Sequence, residues 1–188
     1  MVVESRTPTD YFEVALDLLA EGGPKAVTIA ALCQQLEVTK GSFYHHFSGV
    51  PEFMRQLLGY WEQRGREAGE QAFEAANPLQ RLTFAKLAGT YGLHHEAESA
   101  IRALARADLY ADEVVQRVDQ TREDQLAKGF EEAGIRGREA RVLARIGIAI
   151  LVGTQQRDRP VDRKRLQELF DEYQRWLEQT IADHTASH

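Results

Sequence analysis

Between Thr28 and Phe47 two short amphipathic segments flank a break of only two or three residues. That arrangement constrains the fold more than any other feature of the chain. Thr28 opens the first segment, which places Ile29, Leu32, Cys33 and Leu36 on one face. Glu37-Val38 forms the turn, Thr39 opens the second segment, and Phe43 and Phe47 stack there at i, i+4. Short helices joined this tightly must cross steeply to bury a common face, which is helix-turn-helix geometry. The second of them can enter a DNA major groove with its N-terminal residues towards base edges.

A turn of about 100° per residue separates two faces on that second helix. Phe43 and Phe47 point into a small core, whereas Gly41, Ser42, Tyr44 and His45 lie opposite or beside it. Lys40 and His46 sit at the margins. The outward set is short, polar and aromatic, a chemistry that suits phosphates and base edges. Gly41 leaves room for backbone N–H groups to meet a phosphate. The bland alternative is that these residues only solvate a surface helix.

The rest of the chain also repeats at the helical period, and no stretch alternates at period two. Thr7-Pro8-Thr9-Asp10 reads as a helix start, and Gly22-Gly23-Pro24 as its end. A fourth helix follows from Val50 to about Ala76, before Asn77-Pro78. Five more are expected over 79–91, 96–108, 112–133, 138–156 and 163–183, with one break at 109–111. The expected fold is all-α with about nine helices. A three-helix head over 1–49, with its motif at 28–47, precedes a larger helical ligand-binding and dimerisation domain over 50–188.

Charge does not advertise a nucleic-acid partner. Net charge is −6. The first sixty residues set Arg6, Lys25, Lys40 and Arg55 against Glu4, Asp10, Glu13, Asp17, Glu21, Glu37 and Glu52. Such a balance excludes a purely electrostatic binder. The single cysteine, Cys33, lies on an apolar stripe and reads as a small buried hydrophobe. Residues 1–12 lack a basic region followed by an apolar run, so no signal peptide is expected. The apolar run 146–153 is far shorter than the roughly 20 residues of a membrane span. A cytoplasmic protein without a membrane partner is expected.

Residues 28–47, placed after one N-terminal helix, resemble the signature of TetR-family regulators. The resemblance covers roughly the first 60 residues closely. It implies that Thr28 binds a phosphate, and that Lys40, Gly41 and Ser42 approach bases or backbone. It further implies phosphate contacts from Tyr44 and His46, with Thr39 and His45 completing the surface. Glu37 departs from the pattern, because glycine is usual in that turn. Val50 departs too, standing where many members carry a phosphate-binding lysine. The function implied is a ligand-responsive repressor that binds a palindromic operator as a dimer and is released by a small molecule. The alternative is a helical interaction module or ligand sensor that has lost specific DNA binding.

Two features of the body are read from its stripes. The segment 146–152 is apolar nearly all round, and a second wide stripe runs from Leu166 to Ile181. The two helices are expected to form a homodimer interface through Ile146, Ile150, Phe170, Tyr173 and Leu177. Apolar stripes broken by a few polar groups also suggest a small-molecule cavity walled by Phe84, Tyr91, His94, Leu104, Arg122 and Leu126. Arg122 interrupts an apolar stripe, so it either binds an acidic ligand or pairs with a carboxylate on another helix; the pairing is favoured. His94-His95-Glu96 diverge by about 100° per residue, which is poor chelating geometry. No catalytic motif is found, so neither an enzyme nor a metal or other cofactor is expected.

Overall fold

The computed structural model describes residues 6–73, 83 and 85–186. Among the described residues there are eight α-helices and no strand. In chain order they are α1 (Pro8–Gly22), α2 (Ile29–Leu36), α3 (Lys40–His46), α4 (Val50–Phe73), α5 (His95–Ala105), α6 (Leu109–Glu132), α7 (Arg138–Arg157) and α8 (Arg163–Ala186). Thr83 and residues 85–87 are also helical, and a 3-10 turn (Pro24–Ala26) and a π-helical turn (Ala88–Gly92) lie between helices. The helices fall into two compact units. Met1–Gln63 and His94–Val115 form the first; Arg64–Leu93 and Gln116–His188 form the second.

The first unit is organised by its caps. The Thr7 hydroxyl accepts from Asp10 N–H, and the Asp10 carboxylate accepts from Thr7 N–H at 2.7 Å, closing a reciprocal box ahead of Pro8. At the other end of α1, Gly23 takes φ +68 and its N–H reaches the Leu19 carbonyl. A Cβ on the preceding Gly22 would lie 2.7 Å from Ala26 Cβ, so the turn needs glycine there. Thr28 caps α2 by accepting from Ala31 N–H at 3.1 Å. Glu37 then ends α2 in the left-handed region at φ 55, ψ 41, and Val38 N–H returns to the Cys33 carbonyl. The turn is therefore the tight left-handed one, made by a glutamate that bears the steric cost glycine avoids.

Five rings fill the space between α1, α3 and α4. Tyr11, Phe12, Phe43, Phe47 and Phe53 lie at centroid separations of 4.9–5.9 Å, most of them edge-on or tilted. All five are buried. Such pairs add about 0.5–1.5 kcal/mol each beyond area burial, and truncating one ring, as in Phe47→Ala, costs about 3–5 kcal/mol. Cys33 is buried beside this core, and its Sγ–H donates to the Thr39 carbonyl at 3.6 Å, fastening the turn. Ala97 and Ile101 of α5 and Ala111, Val114 and Val115 of α6 extend the buried set of this unit.

One boundary differs from the periodicity. The break expected at 109–111 lies earlier, because α6 already begins at Leu109. Asp108 is the cause: its carboxylate accepts from Ala111 N–H at 2.9 Å and caps the helix. Leu109 is consequently 84% exposed rather than part of the core.

In the second unit Ala127, Phe130, Ile135, Ala140, Leu143, Ala144 and Leu177 make one buried cluster. Leu151, Val161, Leu166 and Phe170 make another. Gly134 at φ +101 turns the chain after α6, so that Ile135 is buried and its N–H reaches the Phe130 carbonyl. No helix among the described residues is long and apolar enough to cross a membrane.

Candidate nucleic-acid interface

The aromatic core fixes which side of α3 faces outward. With Phe43 and Phe47 buried, Thr28, Thr39, Lys40, Gly41, Tyr44 and His45 are exposed, while Ser42 and His46 are partly so. Tyr44 is 57% exposed although its neighbour Phe43 is fully buried. Its ring meets Phe43 edge-on at 5.6 Å, yet more than half of the residue stays in water. Gly41 is unconstrained by its own fold. A Cβ there would meet only Thr39 Oγ1 at an ordinary 3.5 Å, so the missing side chain leaves space on the outer surface.

Two outward residues are tied inward. The Tyr11 hydroxyl donates to Ser42 Oγ at 2.8 Å. His46 Nε2 lies 2.9 Å from the Arg6 carbonyl, so that nitrogen carries the proton and donates. Thr28 accepts its cap bond with one lone pair and keeps its hydroxyl proton free for an outside acceptor.

The acidity of this unit is largely internal. The Thr7 backbone N–H and hydroxyl hold the Asp10 carboxyl below its ordinary range. The Ser48 hydroxyl and N–H do the same for Glu52, at the start of α4. Glu13 accepts from the Tyr60 hydroxyl, and Asp17 lies 3.1 Å from His94 Nε2. These carboxylates serve their own fold. Burial, partly offset by the Lys40 charge, pushes the Cys33 thiol up, in keeping with a packed and unreactive group.

The second unit holds a partly open cavity of about 110 Å³. Ala68, Leu126, Phe130, Ile148, Leu151 and Phe170 give it an apolar wall. Gly65 and Gly69, one helical turn apart on α4, let the α6 side chains come close. A Cβ on Gly69 would overlap Gln125, and one on Gly65 would lie 3.6 Å from the Arg122 guanidinium. Lys86 at the wall is already bound to Asp171 at 2.8 Å, and Arg122 has a partner of its own. Burial raises the Tyr173 phenol far above its ordinary value, despite the Gly147 backbone bond that acts the other way. Its hydroxyl donates to the Leu143 carbonyl.

Of the residues expected to wall a cavity, Arg122 and Leu126 do so. Phe84 lies outside the described residues. The other three sit elsewhere. Tyr91 is 51% exposed and donates to Gln167; His94 pairs with Asp17; His94 and Leu104 both belong to the first unit. Stripes on separate helices cannot reveal which helices share a unit. The residues expected at a dimer interface also divide. Phe170, Tyr173 and Leu177 line the cavity, whereas Ile146 and Ile150 are half-buried. Sequence reasoning misses the cavity glycines, although small residues at positions 65, 68 and 69 signal a close helix approach. Tyr11 reads in the sequence only as core.

The described residues are helical and form two units, with a helix-turn-helix in one and an apolar cavity in the other, which defines a class of protein: a helix-turn-helix unit joined to a helical cavity-bearing unit. Residues 12–50 match the family model described as bacterial regulatory proteins, tetR family. The HTH-type transcriptional repressor KstR2 of Mycobacterium tuberculosis is 29% identical over 115 residues, covering 60% of this chain and 54% of that protein. The chain thus spans about half the length of the curated relatives it matches. A transcriptional regulator from Rhodococcus sp. Rha1 has the same fold, with a TM-score of 0.74 at 16% identity over 93% of this chain and 97% of that one. PfmR, a TetR family transcriptional regulator from Thermus thermophilus, has a TM-score of 0.62 at 23% identity over 89% of this chain and 96% of its own. The sequence match to the tetR family model is thus confined to the helix-turn-helix region, and the solved structures share the fold of the whole chain.

Proposed function

We propose that this chain is a non-enzymatic, cytoplasmic transcriptional repressor that binds double-stranded DNA through α3. The observation that carries the reading is the outward face of α3. Lys40, Gly41, Tyr44 and His45 stand in solvent on a helix pinned by Phe43 and Phe47. Thr28, Thr39, Ser42 and His46 complete the proposed contact surface. Residues 1–49 act as the DNA-binding head and 50–188 as the ligand-binding and dimerisation domain. That KstR2 is named a repressor supports the direction of regulation.

The proposed active form is a homodimer on a palindromic operator, since two-fold symmetry in the protein calls for it in the site. Exposed apolar residues support an interface on α7 and α8. Val142, at 48% exposed, stands on one stripe with Ile146 and Ala149, and Leu169 and Trp176 stand seven residues apart on α8. The proposed effector is a small, largely apolar molecule that enters the cavity and releases the operator. The wall around Leu126, Phe130 and Leu151 supports that chemistry. Release requires that the effector bind the two states of the protein with different affinity.

Selection of duplexes from a randomised pool by the full chain, followed by a mobility shift on the enriched sequence, tests this reading. An enriched inverted repeat, shifted in a salt-dependent manner, is the expected result. No enrichment and no shift would overturn it in favour of an interaction module that does not read DNA.

A further inference from the structure

We propose that Tyr11, buried in the head and out of reach of any DNA, is a positioning residue that orients the Ser42 hydroxyl to donate a hydrogen bond. This inference rests on the DNA-binding reading and specifies its chemistry. A serine hydroxyl ordinarily both donates and accepts, and on a recognition helix it therefore discriminates weakly. Here the choice is narrowed. The Tyr11 side chain is fully buried, and among the described residues Ser42 Oγ is the hydrogen-bond partner of its hydroxyl, at 2.8 Å. A buried hydroxyl that fails to donate bears a desolvation penalty. The proton therefore lies on the Tyr11 side of the contact, and Ser42 Oγ accepts it.

The Tyr11 ring cannot swing away to break this bond. It is wedged edge-on against Phe43 at 5.9 Å and Phe47 at 5.5 Å, and it contacts the His46 ring at 5.8 Å. Ser42 is partly exposed, so its own proton is free to point to solvent. Accepting from Tyr11 also polarises the Ser42 hydroxyl and makes it a stronger donor. With one lone pair taken and its proton turned outward, the Ser42 hydroxyl is biased towards hydrogen-bond acceptors on DNA. Those acceptors are purine N7, guanine O6 or thymine O4 in the major groove, or a phosphate oxygen. Without Tyr11 the hydroxyl is released to turn back onto its own helix carbonyl, as helical serines do.

The test is a double-mutant cycle on the duplex enriched by the parent protein, using Tyr11→Phe, Ser42→Ala and the double variant. Tyr11→Phe keeps the ring in the core, and thermal melting verifies that each head is folded. Each single variant is expected to lose about three- to tenfold in affinity. In the Ser42→Ala background the Tyr11→Phe loss should vanish, because its route to the DNA is gone. Loss confined to one base pair, mimicked by 7-deazapurine or another acceptor-lacking base there, assigns a base edge. Loss shared by all duplexes, mimicked by one methylphosphonate, assigns a phosphate. Parent-like affinity of Tyr11→Phe, or a loss that persists undiminished beside Ser42→Ala, overturns the positioning role and leaves the DNA reading intact. A parent that enriches no duplex overturns the DNA reading, and this inference with it.

Discussion

The ring of Tyr173 occupies the space that a side chain at position 147 would need. A Cβ on Gly147 would lie 3.2 Å from Tyr173 Cε1 and 3.4 Å from its hydroxyl oxygen. The ring has little freedom to yield, because its hydroxyl is bound to the Leu143 carbonyl. Gly147→Ala therefore sets a helix-propensity gain of about 1 kcal/mol against overpacking of about 1–3 kcal/mol. A net loss of about 1 kcal/mol is expected in urea denaturation. In a Tyr173→Phe background the freed ring can shift, and the same substitution should cost less. An equal cost in both backgrounds would contradict this account of the contact.

Gly41 should show opposite signs in stability and binding. Its own fold has room for a Cβ, and alanine is the better helix former by about 0.5–1 kcal/mol. Gly41→Ala is expected to raise the melting temperature slightly. On the enriched duplex it should weaken binding by about tenfold, or about 1.4 kcal/mol, as the methyl group meets the DNA. Calorimetry and fluorescence anisotropy read the two effects separately.

Glu37 bears the cost of a left-handed backbone at φ 55. Glu37→Gly relieves that strain, offset in part by the larger entropy of glycine in the unfolded chain. A net gain of about 0.5–1 kcal/mol is expected in urea denaturation. The substitution also removes a negative charge from the turn before α3, so DNA affinity at low salt should rise. Glu37→Gln separates the two effects: it should reproduce the affinity gain without the gain in stability.

Hydrogen bonds from Thr7 and Ser48 hold the Asp10 and Glu52 carboxyls below their ordinary values. Groups with depressed folded values stabilise fully above their unfolded values of about 4 and lose that contribution as pH falls through the folded ones. The melting temperature of the parent should therefore drop more steeply below about pH 4 than that of an Asp10→Asn, Glu52→Gln variant. The two curves should converge at the acid end. Parallel curves would show that these caps contribute nothing to the acid sensitivity.

The head is legible in the sequence because its signals are local. Thr7, Pro8 and Thr28 cap within one turn, and Phe43 and Phe47 lie one helical turn apart. The body is less so. The apolar stripe of α8 is wide enough to serve two sides. Leu166, Phe170 and Leu177 turn inward, while Leu169 and Trp176, about 100° away along the same helix, remain exposed. Periodicity shows that such a stripe exists and not which edge meets a cavity. The Tyr11 to Ser42 bond spans 31 residues, and no sequence window contains it. The early start of α6 hangs on one carboxylate, Asp108, whose capping role depends on where the preceding helix ends.

The central claim is that the outward face of α3 reads DNA, and a salt titration of operator affinity tests it most directly. Parent, Lys40→Ala and Tyr44→Phe proteins are compared on the enriched duplex, with circular dichroism confirming unchanged folds. Tyr44→Phe should lose about 1.5–3 kcal/mol of binding, the value of a hydrogen bond to a charged group, alike on all sequences. Lys40→Ala should either lower the salt slope by about one, if it meets a phosphate, or relax preference at one base pair. Affinities equal to the parent's for both variants at every salt concentration would contradict the account.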